Sequence, residues 1–249
     1  MNRVPQVTLY FWVIKILATT VGETAADFLS ETLGLGLERT TAVMSVVLLV
    51  ALVGQFWRRR YVPAAYWLVV VLLSIVGTLV TDGLVDDLGV PLEVTTGAFS
   101  IALLCTFAVW YRRERTLSIH SIDTAPREAF YWLAILFTFA LGTAAGDWVA
   151  EGLGVGFWQS AVLFATLMAA VTGAWRFLRL PPVPAFWAVY ILTRPLGASI
   201  GDLLSQAPED GGLGLGTVVT SGVFLAVIAA VVVFLTVTGK DRILPTESP

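Results

Sequence analysis

Cysteine and histidine are almost missing from this chain, with Cys105 and His120 standing alone among 249 residues. A single cysteine excludes an internal disulfide. One histidine beside it leaves no His/Cys set for zinc or copper. Charged residues make up only 13% of the chain, against about 25% in soluble domains. The net charge of −3 gives no basic footprint for nucleic acid. No Gly-x-Gly-Asp protease pair or nucleotide-binding loop occurs. Arg194-Pro195 lacks the lysine seven residues earlier that a lipid phosphatase would need, since that position is Trp187. We therefore expect no enzyme, no required cofactor and no bound ATP.

What fills the chain instead is apolar sequence, 57% of all residues. Thr40 to Trp57, Tyr61 to Thr81, Val94 to Tyr111, Ala129 to Gly146, Gly152 to Trp175 and Gly211 to Gly239 carry no charge, and each is long enough to cross a bilayer, which takes about 20 residues. Two further runs are interrupted: Thr8 to Leu29 by Lys15, Glu23 and Asp27, and Phe186 to Leu204 by Arg194 and Asp202. Eight transmembrane helices in contact with a lipid bilayer are predicted. Twelve of the fifteen basic residues fall on one side, including Arg3, Arg58-Arg59-Arg60, Arg112, Arg113 and Arg115, so that side is predicted to be cytoplasmic. The opposite turns hold Glu31, Glu38, Asp86, Asp87, Glu93, Glu151, Glu209 and Asp210 against Arg39 alone. The expected location is a bacterial inner membrane, with both termini cytoplasmic. Because the first apolar run continues into the first repeat, no cleaved signal peptide is expected.

The runs are not independent. Gly-x-x-x-x-Asp followed by Leu-Gly recurs at Gly22/Asp27, Gly77/Asp82, Gly142/Asp147 and Gly197/Asp202. The aspartates are 55, 65 and 55 residues apart, and the second half repeats the first at an offset of 120, placing Trp12 on Trp132 and Trp67 on Trp187. The expected fold is an all-α membrane protein of four parallel two-helix repeats, 7–60, 61–112, 127–180 and 181–238, with a connector at 111–128. They would form a pseudo-fourfold bundle about the membrane normal, with odd helices facing the axis and even helices facing lipid. Cys105 reads as a small packing residue, His120 as solvated, Lys15 as snorkelling to the surface, and Trp57, Trp110, Tyr111 and Trp132 as interfacial anchors. Pro195 is expected to kink its helix.

Residues four apart share a helix face. One turn before each Asp stand Glu23, Thr78, Thr143 and Ala198; two turns before stand Thr19, Ser74, Phe139 and Arg194. The copies thus keep the Asp and diverge beneath it, suggesting one asymmetric site. Embedded acids Glu23, Asp27, Asp82, Asp147 and Asp202 outnumber the bases Lys15 and Arg194, an excess that protons or a metal ion can balance. A ligand set of carboxylates with Thr or Ser hydroxyls suits Mn2+, Mg2+ or Ca2+. Arg194 lies where its side chain can reach Glu23. A competing reading makes the aspartates turn-fixing groups hydrogen-bonded to nearby backbone.

The stretches YFWVIKILATTVGETAADFLS, ERTLSIHSIDTAPREAFYWLAILFTFALGTAAGD and FWAVYILTRPLGASIGDLLSQ resemble a family of bacterial repeat-containing membrane proteins labelled only as predicted membrane-anchored proteins. The resemblance implies the repeat fold and no particular activity. A looser analogy links the chain to manganese exporters, whose Glu-x-Gly-Asp-Lys/Arg signature it lacks. The expected function is transport of a hard divalent cation, manganese favoured, in the export direction. Glu23, Asp27, Asp82, Asp147 and Asp202 would be ligands, and Thr19, Ser74, Thr78, Thr143 and Arg194 would support them. Two other readings stay open: a non-transporting scaffold or sensor, and a carrier of a small organic cation. A homo-oligomer is also left open.

Overall fold

The computed structural model describes residues 2–58 and 60–242, leaving Arg59 of the arginine run outside the described residues. These residues contain eight α-helices: α1 Leu9–Asp27, α2 Leu37–Trp57, α3 Pro63–Asp82, α4 Leu92–Glu114, α5 Ala125–Asp147, α6 Phe157–Phe177, α7 Pro182–Ser205 and α8 Thr217–Thr238. Local chemistry sets their starts. Thr8 and Thr124 accept hydrogen bonds from the backbone N–H of Phe11 and Arg127, relieving donors that have no partner within the helix. Pro63 and Pro182 open α3 and α7, where a missing N–H costs nothing. After Asp27, Asp82 and Asp147 the chain widens into a π turn. The Leu-Gly pairs then reverse it, with Gly34, Gly89, Gly154 and Gly214 at φ of +66°, +66°, +65° and +72°, a region glycine enters without steric cost.

Helices α2, α3, α4, α5, α6 and α8 are long and apolar enough to cross a membrane. By helix length and hydropathy the chain is a multi-pass membrane protein. Helices α1 and α7, which carry the buried Lys15, Glu23, Arg194 and Asp202, are not among these six and pack against α3, α5 and each other.

The odd helices form a closed ring in which α1 packs on α3, α3 on α5, α5 on α7 and α7 on α1. One contact is repeated around it. Ser74 enters the space beside Gly22, Phe139 that beside Gly77, Arg194 that beside Gly142, and Thr19 that beside Gly197. A methyl group on any of these glycines would collide with the side chain of the neighbouring repeat, so close helix approach requires glycine there. Gly142→Val is accordingly expected to dislodge the Arg194 stem and abolish a monodisperse folded species, as read by size-exclusion chromatography in detergent. The same change at Gly173, which has open space around it, should be tolerated.

The even helices form the outer layer, but each leaves its own repeat. Helix α2 packs on α3, α4 on α5, α6 on α7, and α8 closes the circle on α1. Both described ends of the chain lie at the basic end. There the Arg3 guanidinium meets Glu128 at 2.5 Å, the Gln6 N–H donates to the Asp241 carbonyl, and Tyr61 donates to the Asp241 carboxylate.

Three expectations need correction. Trp110 and Trp132 are buried, at 0% and 3% exposure. Neighbouring inner helices claim them: Trp110 stacks on Phe130 and Trp132 packs on Tyr66. Lys15 does not snorkel; it is fully buried, with Nζ 3.7 Å from the Phe139 ring centre and 4.2 Å from that of Tyr190. Cys105 is exposed on α4 rather than packed, because α4 turns the opposite face to α5.

Candidate ion site on the repeat axis

Within the ring the repeats present side chains in tiers. Asp27, Asp82, Asp147 and Asp202 end or nearly end their helices and line one cavity of about 140 Å³, together with Glu23. One turn further out, Glu31, Asp86, Glu151 and Gln206 line its mouth, each four residues after an aspartate. Glu31, Asp86 and Glu151 were read from the sequence only as outer-turn charges, and none of the four as part of the site. No basic side chain lines the cavity. Oxygens of Glu23, Asp147 and Asp202, one from each of three repeats, lie within 4.8 Å of one another.

The aspartates do not fix turns through hydrogen bonds. The side chains of Asp27, Asp82 and Asp147 cap no backbone N–H. Among the described residues none of the four carboxylates has a hydrogen-bond or ion-pair partner, whereas Glu23 does. Asp202 is 6% exposed and faces the cavity without a partner. Carboxylates packed together in a membrane interior need protons, cations or water to remain there.

Behind Glu23, outside the cavity lining, lies Arg194. Its Nη2 donates to Glu23 Oε2 at 2.6 Å and to Thr143 Oγ1 at 2.7 Å, and contacts Thr78 Oγ1. Its Nη1 donates to the Thr19 carbonyl at 3.0 Å. One guanidinium from the fourth repeat thus engages all three others. The ion pair expected between Arg194 and Glu23 is formed, with Thr78 and Thr143 as its hydroxyl partners. The Thr19 and Ser74 side chains lie apart from this cavity. Thr19 Oγ1 donates to the carbonyls of Ile16 and Thr193, and both side chains fill glycine gaps at helix crossings. Below Arg194 comes Lys15 in its aromatic box, then the Tyr66 and Tyr131 hydroxyls, bonded at 2.5 Å. The axis is therefore open at the acidic end and filled beneath it.

A duplicated, axially arranged helical bundle with polar residues turned inward defines the class: a multi-pass membrane protein built from internal repeats. The family model described as Repeat of Unknown Function (DUF347) matches residues 10–61, 65–116, 130–180 and 185–241, and the chain belongs to that family. No curated protein and no solved structure matches it.

Proposed function

We propose that the protein is a carrier for a hard divalent cation, Mn2+ favoured, that binds in the acidic cavity and leaves or enters past Arg194. The observation that carries this reading is the convergence of carboxylates from all four repeats, with the four aspartates unpartnered and oxygens of Glu23, Asp147 and Asp202 inside a 4.8 Å span. Ligands on opposite sides of an ion bonded at about 2.3 Å are about 4.6 Å apart, so the span admits one small cation. Oxygen-only ligation supports Mg2+, Ca2+ or Mn2+ over zinc.

Arg194 supplies the gate. While its guanidinium holds Glu23, the deepest carboxylate is occupied and a positive charge blocks the axis. An entering ion competes for Glu23, and the released arginine can then retain Thr78, Thr143 and the Thr19 carbonyl. Protons arriving on the carboxylates displace the metal, which allows exchange of metal for H+ with little net charge movement. With the basic end assigned to the cytoplasm, the cavity opens away from it, consistent with an exporter resting in its releasing state in a bacterial inner membrane.

The filled axis favours a second reading, a non-transporting sensor or scaffold whose cavity binds without passage. The organic-cation reading has less support, because the cavity is small and no aromatic side chain lines it. Proteoliposomes carrying a Mn2+-sensitive dye separate carrier from sensor. Wild-type protein is expected to pass Mn2+ and to lose flux with Glu23→Gln or Asp147→Asn while remaining inserted. Flux unchanged in both variants would sink the carrier, and binding without flux would leave the sensor.

A further inference from the structure

The fourfold arrangement is broken at one place outside the ring. Along its length α2 buries Leu48 and Gln55 toward the basic end. Helix α4 there buries Leu103, Thr106 and Trp110, and α8 buries Ile228, Val232 and Leu235. Helix α6 differs, since its buried residues are Phe157, Ser160, Ala161 and Phe164, all in the half nearer the acidic end. Beyond Phe164 α6 buries no residue, and a cleft of about 500 Å³ lies there at the basic end, bounded by α6, α7, the start of α1 and the connector. At the 120-residue offset the buried Leu48 and Gln55 correspond to Met168 and Trp175, which line this cleft. The first half fills the position with its own side chains; the second leaves it vacant.

The cleft has an ordered chemistry. Its walls are Trp12, Met168, Val183, Phe186 and Val189, with polar atoms confined to Thr172 and to Ser118 and His120 of the connector. No acidic residue lines it. Its size and mainly apolar lining with a few polar groups at one end match a ligand pocket. Next to the lining Trp175 are Arg176 and, past the end of α6, Arg179, both exposed. Neither forms a salt bridge among the described residues. Arg179 sits at φ +60°, a conformation unfavourable for a residue with a side chain, in the turn that brings the chain back toward α7.

We propose that this cleft holds an acyl chain of an anionic phospholipid from the surrounding leaflet, with the headgroup phosphate at Arg176 and Arg179. An apolar slot at membrane depth is wetted poorly and filled well by hydrocarbon. The two exposed guanidinium groups, close in sequence to the lining residues Trp175 and Pro182 and with that of Arg176 over the Phe177 ring, select negative headgroups, to which each exposed arginine near a membrane surface contributes about a fivefold preference. The lipid would take the place that Leu48 and Gln55 occupy in the first half. The inference does not depend on the ion reading.

Native mass spectrometry of the full chain released from micelles with equal phosphatidylglycerol and phosphatidylethanolamine tests it. One retained phosphatidylglycerol per chain is expected, preferred about 25-fold. Arg176→Gln/Arg179→Gln should erase the preference, and Met168→Trp should fill the slot and cut retention of both lipids. No retained lipid, equal retention of the two, or a preference unchanged in the double arginine variant overturns the proposal. Both arginines are exposed, so that variant is expected to fold even if Met168→Trp does not. A spin-label distance between Thr172→Cys and Val183→Cys, in a Cys105→Ser background, reads the slot independently. It should be insensitive to added neutral lipid and should narrow in distribution with phosphatidylglycerol; the same response to both lipids counts against the proposal.

Discussion

Arg194→Met is expected to be among the most destabilising single changes in this protein. The guanidinium is fully buried and Glu23 nearly so. Removing the cation leaves a desolvated carboxylate facing unpartnered aspartates. Breaking a buried pair from one side costs about 3–5 kcal/mol, and here the loss also strips Thr78 and Thr143 of their shared donor. Glu23→Gln/Arg194→Met should recover much of the stability, because both charges leave together. Thermal unfolding of the wild type, both single variants and the double variant in one detergent closes the cycle. A double variant no better than the sum of the singles would show that the two residues are not coupled, and the gate would lose its basis. Arg127→Ala, which breaks half-exposed pairs with Glu114 and Asp123, should change stability by no more than about 1 kcal/mol.

The second large effect concerns binding. Calorimetry of the purified protein is expected to find one Mn2+ per chain, with affinity lowered at least about tenfold by Asp202→Asn, since carboxylate number is a main determinant of affinity for hard cations. Affinity should fall as pH is lowered, because each proton taken up by a ligand competes with the metal. Asp123→Asn, on the connector and paired with Arg127, is the control and should bind as the wild type does. Retained affinity in Asp202→Asn would remove the cavity from consideration as the metal site.

The ring and its axial ion pair were readable because repetition constrains what one helix alone does not. Four aspartates at matching offsets had to lie in matching places, and helical spacing then put Glu23 and Arg194 on the same inward face. The acids at the mouth were visible as outer-turn charges, but the π turns that carry them inward leave no periodic signal. Lys15 was misread because its sequence context fits a snorkelling lysine; the rings that cover it, Phe139 and Tyr190, come 124 and 175 residues later in the chain. Trp110 and Trp132 follow the same logic: tryptophan near a helix end has the same local sequence whether a neighbouring helix or a headgroup covers it. The exposure of α6 beyond Phe164 was not legible, since α6 is as apolar in that half as in its packed half.

The transfer of each even helix to the following repeat has a consequence for how the chain is made. Helix α1 is synthesised before the other seven, yet its buried glutamate waits for Arg194 of α7 and its outer face waits for α8. The earliest of the eight helices is thus the last to be completed, and no repeat is finished when its own two helices have emerged. Assembly must proceed with an open circle whose starting edge is polar, closing only when the final helix arrives. A chain interrupted before α8 would leave that edge of α1 uncovered.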